Sequence, residues 1–406
     1  MKILIVSQYY YPEQFQINEI APELVRRGHA VTVLCGLPNY PKGVIFEGYK
    51  EKAKREEIIN GVKVIRCWQK PRGKGLLSLV MNYVTFVING RKNVSRLADD
   101  YDVVLCYQLS PVTMAFPALK YKKKYDVPLI LYCLDIWPES AKSQLYGKSK
   151  WLYYMVGRMS RSIYQKCDKV LVSSKPFIDY MRAINGVSTN KLAYLPQHAD
   201  ASMLDKDFRK EDDGKTNFMF AGNIGRGQHL ETLVDAAGII GKRKDYLIHV
   251  VGDGSERKHI EELVAEKGLA EQFVFYGYQQ RENMADIYTK ADALLILLRQ
   301  INAVGLTMPG KLQMYMTLGK PILGAINGAA NEVIHESNCG GCVTAEDSEG
   351  LSELMLSFIN KPENFSLCGK NARQYFCKNF TLKQFVDSLE SFLSEILSVY
   401  KMNKAL

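Results

Sequence analysis

Along the first two hundred residues the apolar positions fall into two alternating textures. Short runs that are apolar almost throughout occur at 2–6, 31–35, 62–66, 103–106, 128–133 and 169–172. Between several of them the apolar residues recur at helical spacing. Ile17 to Arg27 is one such stretch, closed by Gly28 at the position where helices commonly turn left-handed, and 111–125, 150–167 and 175–184 are others. Strands apolar on both sides, alternating with helices, predict a parallel sheet covered on both faces.

The same alternation restarts after a break near 196–215, where Pro196 to Asp200 leads into the charged run Asp205 to Lys215. Phe218 to Ala221, Tyr246 to Val251, Phe273 to Tyr276, Ala293 to Leu298 and Pro321 to Gly324 read as strands with helices between them. Thr381 to Met402 reads as one long amphipathic helix. The expected fold class is therefore α/β: two tandem doubly wound units facing a central cleft, 1–200 and 201–380. For the remaining helix, 381–406, packing back on the first unit is one option. A length of 406 residues agrees with two cores rather than one. Ligands of such sheets bind beyond the carboxyl ends of the strands.

Composition changes the picture in two respects. The nine cysteines are an odd number scattered through apolar segments, and Met1 to Val6 is too short for a secretion signal; both favour a reducing cytoplasm. Cys339 and Cys342 make a lone CxxC without a second pair to complete a metal site. Charge is the second respect. Residues 1–200 hold 30 Lys and Arg against 16 Asp and Glu, whereas 201–406 hold 23 against 27. The first half thus calls for an anionic partner. No nucleic-acid-binding signature is present, so nucleic acid is not the expected one. The segment Pro71 to Arg96 offers another: ten of the thirteen residues from Leu76 to Ile88 are apolar, and basic residues flank them. That is too short to span a bilayer but fits a helix lying on an anionic membrane surface; the alternative is a buried core helix.

Three stretches carry candidate chemistry. Cys133 to Ser140 leaves a core strand and at once places two acids, Asp135 and Glu139, around Trp137 and Pro138. Either acid can meet a hydroxyl group in the cleft, although Asp135 can equally cap the next helix. Ala221 to Gln228, with Gly222, Asn223 and Arg226, follows a strand and opens a helix, an arrangement suited to an anion; the alternative is a tight strand-to-helix turn with a solvated arginine. Lys311, after Met308-Pro309-Gly310, lies in the first turn of a helix, where a cation is unfavourable unless an anion sits beside it; the alternative is an ordinary surface lysine.

Taken together, Ile3 to Glu13, Glu23 to Gly36, Leu37 to Gly43, Leu134 to Ser140, Ala221 to Arg226, Val251 to Gly254 and Pro309 to Pro321 resemble the GT-B-fold glycosyltransferases of family 4, in the bacterial branch that builds O-antigen and capsule. Within it the chain looks most like the N-acetyl-L-fucosamine transferases. The resemblance implies two Rossmann-like domains and a retaining transfer with no required metal or other cofactor. It implies a nucleotide-sugar donor, a UDP-sugar, held by the C-terminal domain. Its diphosphate would meet Gly222, Asn223, Arg226 and Lys311, and its nucleotide or sugar Gly277, Tyr278, Leu306, Thr307, Gly310 and Glu332. The acceptor, a polyprenyl-diphosphate-linked saccharide, would be met from the N-terminal domain by Glu13, Asn39 and Tyr40, with Asp135 and Glu139 as the catalytic candidates. The protein would then work as a peripheral protein on the inner face of the bacterial cell membrane. A sugar-nucleotide epimerase on the same fold and a non-catalytic sugar-nucleotide-binding partner are the alternatives. Two positions depart from the family pattern. Leu306 and Met314 stand where many relatives carry a glutamate pair, and Glu13-Gln-Phe-Gln16 stands where paired glycines are usual. Backbone around Gly305 to Thr307, or Glu332, can take over the ribose.

Overall fold

A computed structural model describes residues 1–50, 52–98, 100–142, 149–299 and 306–405. The chain forms two compact units, Met1–Gln197 with Phe385–Leu406, and His198–Gln384. Their boundary in sequence lies at 197/198 rather than 200/201, and the chain re-enters the first unit at Phe385 rather than 381.

In the first unit, β1 (Lys2–Val6), β2 (Ala30–Gly36), β3 (Glu56–Ile59), β4 (Val62–Cys67), β5 (Val103–Gln108), β6 (Leu129–Cys133), β7 (Lys169–Val172) and β8 (Leu192–Tyr194) form one sheet in the order β3-β4-β2-β1-β5-β6-β7-β8. All its pairings are parallel except β3 with β4. The central strands are sealed on both faces, and Ile3 to Val6 are wholly buried. That is why they read as unbroken apolar runs. β3 escapes that reading because it is an antiparallel edge strand. Its Glu56 and Ile58 are exposed, and charge on an edge discourages further pairing.

Helix α1 (Ile17–Arg26) links β1 to β2. Helices α2 (Leu76–Val94), α3 (Phe116–Tyr125) and α4 (Lys150–Lys166) lie in the crossovers from β4 to β5, β5 to β6 and β6 to β7, and α5 (Pro176–Ala183) lies in that from β7 to β8. The three crossovers that carry α2, α3 and α4 step across the sheet in the same sense, so right-handed connection puts these helices on one face. There α2 packs on α3, and α3 on α4.

The second unit has the order β11-β10-β9-β12-β13-β14, all parallel, from β9 (Thr216–Ala221), β10 (Tyr246–Val251), β11 (Phe273–Gly277), β12 (Ala293–Leu297), β13 (Ile322–Ala325) and β14 (Gly340–Val343). Its helices are α6 (Glu231–Ile240), α7 (Arg257–Glu266), α8 (Met284–Thr289), α9 (Gly310–Thr317), α10 (Ala329–Ser337), α11 (Ser348–Asn360) and α12 (Cys368–Asn379). Successive β9 residues feed opposite cores: Phe218 and Phe220 one, Met219 and Ala221 the other. Cys342 of the CxxC lies in β14 and Cys339 just before it. Among the described residues no group of His, Cys, Asp or Glu is placed to hold a metal ion.

A polar chain crosses β9, β10 and β11. Asn217 Nδ2 donates to the Asp213 carboxylate, His249 Nε2 lies 2.8 Å from Asn217 Oδ1, and Tyr276 Oη lies 3.0 Å from His249 Nδ1. Burial pushes His249 down to about 4, so the ring is neutral. It donates through Nε2 and accepts through Nδ1. A register shift between Val250 and Val251 leaves Tyr276 as an extra residue opposite β10.

The last helix, α13 (Leu382–Ala405), belongs to the first unit from Phe385 onward. The Phe385 ring sits 5.4 Å from that of Tyr132 on β6. Arg27, just after α1, reaches Asp387 at 2.6 Å and Glu390 at 2.7 Å, and His29 Nε2 lies 2.7 Å from Glu390. The ion pairs are partly exposed and contribute modestly, so the ring contact should dominate. Replacing Phe385 by Ala is expected to destabilise the first unit by roughly 3–5 kcal/mol in urea denaturation. Replacing Asp387 by Ala should cost less than about 1 kcal/mol.

Candidate active site

The carboxyl ends of β9 and β10 and the first turn of α9 enclose a pocket of about 570 Å³. Glycines make it possible. Gly222 has φ +146°, and a Cβ there would lie 2.8 Å from the Lys311 side chain; one on Gly252, at φ +131°, would lie 1.9 Å from the Gly222 carbonyl oxygen. The two loops are therefore in contact backbone to backbone, as only glycine permits. They are stitched by Gly222 N–H to Val251 O and Gly252 N–H to Gly277 O, both 2.9 Å.

Lys311 dominates the electrostatics. Its Nζ is buried, lies 3.6 Å from the centre of the Phe220 ring, and has no hydrogen-bond partner. Burial pushes its pKa down to about 7. No side chain caps the N-terminus of α9, whose free N–H groups lie at the same wall. An unpaired buried amine beside an uncapped helix start is a charge-depleted site that an anion would complete.

The residues singled out from the sequence separate here. Gly222, Asn223, Tyr278, Gly310 and Lys311 line this pocket, and so does Met314. Arg226 does not: it is exposed and paired with Glu256 at 3.2 Å. Gly277 follows the bulge at Tyr276 and is not part of the lining. Leu306, Thr307 and Glu332 are not part of the lining, and Glu332 is exposed on α10. Gly305 lies outside the described residues. Asp253, Gln279, Met284 and Tyr288 also line the pocket, and sequence reasoning passed over the last three. Only Asp253 carried a signal, in the Gly252-Asp253-Gly254 turn; the others come from segments with no motif.

In the first unit the two acids part company. Glu139 is buried and committed: Lys142 donates to Oε1 at 2.8 Å, and Tyr153 and Tyr180 donate to Oε2 at 3.3 and 3.2 Å. Both of its oxygens are engaged, and it organises the loop. The Asp135 side chain is part-exposed and makes no hydrogen bond among the described residues, so it caps no helix. Its backbone is fixed, since Gln108 Nε2 donates to its carbonyl oxygen at 2.8 Å and Trp137 Nε1 donates to Ser110 Oγ at 3.1 Å. Its charge adds to burial in raising the phenols of Tyr83 and Tyr107.

Glu13 and Asn39 are buried framework. Glu13 Oε1 accepts the N–H groups of Asn39 (2.8 Å) and Tyr40 (2.7 Å), while Oε2 is buried without a partner. Burial pushes the carboxyl up to about 7 despite the two N–H donors. Asn39 binds the Leu37 carbonyl and the Arg72 N–H. Tyr40, by contrast, is exposed, in contact with Phe15 and Tyr9 and with Arg72 over its ring.

Comparison with known proteins agrees with this geometry. The family described as "Glycosyl transferase 4-like domain" matches residues 14–198, and "Glycosyl transferases group 1" matches 204–375. The chain belongs to the group 1, family-4-like glycosyltransferases. It is 22% identical to the putative colanic acid biosynthesis glycosyl transferase WcaI of Escherichia coli K12, over 96% of this chain and all of that protein. The identity is 24% to the probable glycosyltransferase WbjE of Pseudomonas aeruginosa, over 70% of this chain and 72% of the relative. Among solved structures, HepE of Anabaena in complex with UDP aligns with a TM-score of 0.68 at 15% identity, covering 97% of this glycosyltransferase and all of HepE. The lipopolysaccharide outer core galactosyltransferase WaaB aligns at 0.69 and 13% identity, with coverage of 97% and 100%. These neighbours have the GT-B architecture, and this enzyme shares it.

Two stability predictions follow from the buried charges. The amine of Lys311 has a folded pKa near 7 and an ordinary value of 10.5, so between those pH values the unfolded chain holds the extra proton and stability rises with pH. Lys311→Met should stabilise the unliganded protein by roughly 1–3 kcal/mol at pH 7, with the advantage shrinking towards pH 9.5 in denaturant titrations. For Glu13 the folded value is raised from 4.5 to about 7, so its stabilising share is present below 4.5 and lost as pH rises through 7. Glu13→Gln should match the wild type near pH 4.5 and exceed its stability at pH 8.

Proposed function

We propose that this enzyme transfers a sugar, an N-acetylated or deoxy hexose, from a UDP-sugar to a polyprenyl-diphosphate-linked saccharide in bacterial surface-polysaccharide synthesis. The observation that carries this reading is Lys311: a buried amine without a partner, beside Gly222 and an uncapped helix start, in a pocket sized for a nucleotide-sugar fragment. Support also comes from relatives named for colanic acid and lipopolysaccharide synthesis and from HepE, which binds UDP.

In this reading the diphosphate lies against Gly222, Asn223, the α9 N-terminus and Lys311, and exposed Tyr278 offers its ring to the base. Met314 lines the pocket where a carboxylate would grip the ribose, so ribose contacts fall to backbone groups. During transfer the bond from the anomeric carbon to the diphosphate oxygen breaks and its electron pair leaves with the diphosphate. Positive Lys311 and the α9 N–H groups stabilise that growing charge without a required metal. The acceptor hydroxyl oxygen bonds the anomeric carbon with retained configuration, and its proton passes to Asp135. The acceptor's lipid places the enzyme at the inner membrane face, touching it through 71–96. No helix among the described residues is long and apolar enough to cross a membrane.

Binding of UDP should draw Lys311 into its charged form. UDP affinity is therefore expected to fall as pH rises above 7, by up to about tenfold per unit, and the slope should vanish in Lys311→Met. Calorimetry between pH 6.5 and 9 reads both, and a pH-independent affinity in the wild type refutes the assignment. For the transfer itself, Asp135→Asn is expected to lower kcat by about 10²-fold or more while leaving the UDP-induced rise in Tm unchanged. Turnover should survive EDTA. Conversion of the UDP-sugar to its epimer in the absence of any acceptor, without net release of UDP, would instead favour epimerisation.

A further inference from the structure

Helices α2, α3 and α4 contain ten Lys and Arg and not one Asp or Glu. Each connects the carboxyl end of one parallel strand to the amino end of the next, so the three run side by side in the same direction. Their outward residues are graded along that direction. On α2 the exposed stripe is Leu77, Val80, Met81, Val84 and Ile88, and it then becomes Arg91 and Lys92. The inward face is Asn82, Phe86, Gly90 and Val94, so the stripe is not the core face of the helix. On α4, after Lys150 at its first position, Trp151 (70% exposed), Tyr154 (61% exposed) and Met155 come first, and Arg158 and Lys166 follow. On α3, Phe116 and Leu119 precede Lys120, Lys123 and Lys124.

The layer thus presents an apolar band towards the carboxyl edge of the sheet and a basic band towards the amino edge. Where the two bands meet, the three helices share a groove of about 920 Å³ lined by Phe116 and Leu119 of the apolar band and by six basic residues, among them Arg91, Lys123 and Lys166. Among the described residues the acidic one that lines it, Asp126, is already satisfied by Lys404 and Tyr400. Lys120 and Lys124 tie α3 to carbonyl groups of Arg91 and Ser95, whereas Arg91, Lys123 and Lys166 are exposed.

We propose that this whole three-helix face is a membrane-docking surface. Its apolar band enters the interface of an anionic bilayer, and its basic band, with the groove, binds lipid phosphates. The proposal rests on the reading of a lipid-linked acceptor but extends the contact from 71–96 to α3 and α4. It also assigns an orientation: the carboxyl edge of the sheet, which carries Tyr40 and Asp135, tips towards the lipid. The chemistry favours a bilayer over a protein partner. Aromatic and aliphatic side chains ahead of a basic band, on helices that carry no acidic residue, match the order of acyl boundary and anionic headgroup.

Flotation with phosphatidylglycerol and phosphatidylcholine vesicles tests the surface. Wild type should partition to phosphatidylglycerol, with a blue shift of tryptophan emission that is absent in Trp151→Ser. The variants Trp151→Ser/Tyr154→Ser/Met155→Ser and Arg91→Glu/Lys123→Glu/Lys166→Glu should each lose about tenfold or more in partitioning. Both should keep the UDP-induced rise in Tm, which reports correct folding and tests the donor reading separately. Partitioning within twofold of wild type in both variants overturns the proposal. If only Leu77→Ser/Val84→Ser/Ile88→Ser weakens binding, the α2 contact stands and the three-helix surface does not. Failure of wild type to bind phosphatidylglycerol overturns both. A dimer in sedimentation that the same variants dissociate assigns the face to a second copy of the chain and overturns it as well.

Discussion

A parallel sheet obliges the chain to return after every strand, and most of what this enzyme offers depends on that obligation. Strands pointing one way collect their carboxyl ends at one edge, and the crossover helices must start there. In the second unit that edge gathers two glycine loops and the start of α9 around one pocket. In the first it gathers Tyr40, Asp135 and the Trp137 loop. The same obligation makes α2, α3 and α4 run side by side, so that a gradient written along each helix becomes a band across the surface.

Within the second unit the close approach of Gly222 and Gly252 is what leaves Lys311 where it is. Protein groups deny the amine a partner, and the Phe220 ring is its nearest compensation. A partnerless buried amine is a cost to the empty fold, and ligand binding removes that cost. The apolar cores on the two faces of the sheet offset that cost.

Much of the fold was legible because the central strands are buried on both faces and the helices carry helical periodicity. The edge strand β3 was hidden by its charges, and β14 by Gly340 and Gly341, which lack the branched side chains that announce a strand. The site was legible where a backbone constraint left a residue type behind, as at Gly222, Gly310 and Lys311. It was illegible where function comes from what lies across the pocket. Nothing local distinguishes Tyr288 or Met284, and nothing local says that Arg226 is spent on Glu256 or Glu139 on two tyrosines and a lysine. Asp135 and Glu139 looked equivalent at four residues' spacing; only tertiary partners separate a committed carboxylate from an open one.

The polar chain through Tyr276, His249, Asn217 and Asp213 has a consequence for how this sheet can change over time. Every link has a fixed direction: hydroxyl to imidazole, imidazole to amide oxygen, amide nitrogen to carboxylate. A single replacement reverses or empties one link and strands a polar atom among β9, β10 and β11. The three strand positions are therefore expected to be inherited as a set. Sequences that abandon the histidine should abandon the asparagine and tyrosine with it, exchanging the whole chain for apolar side chains.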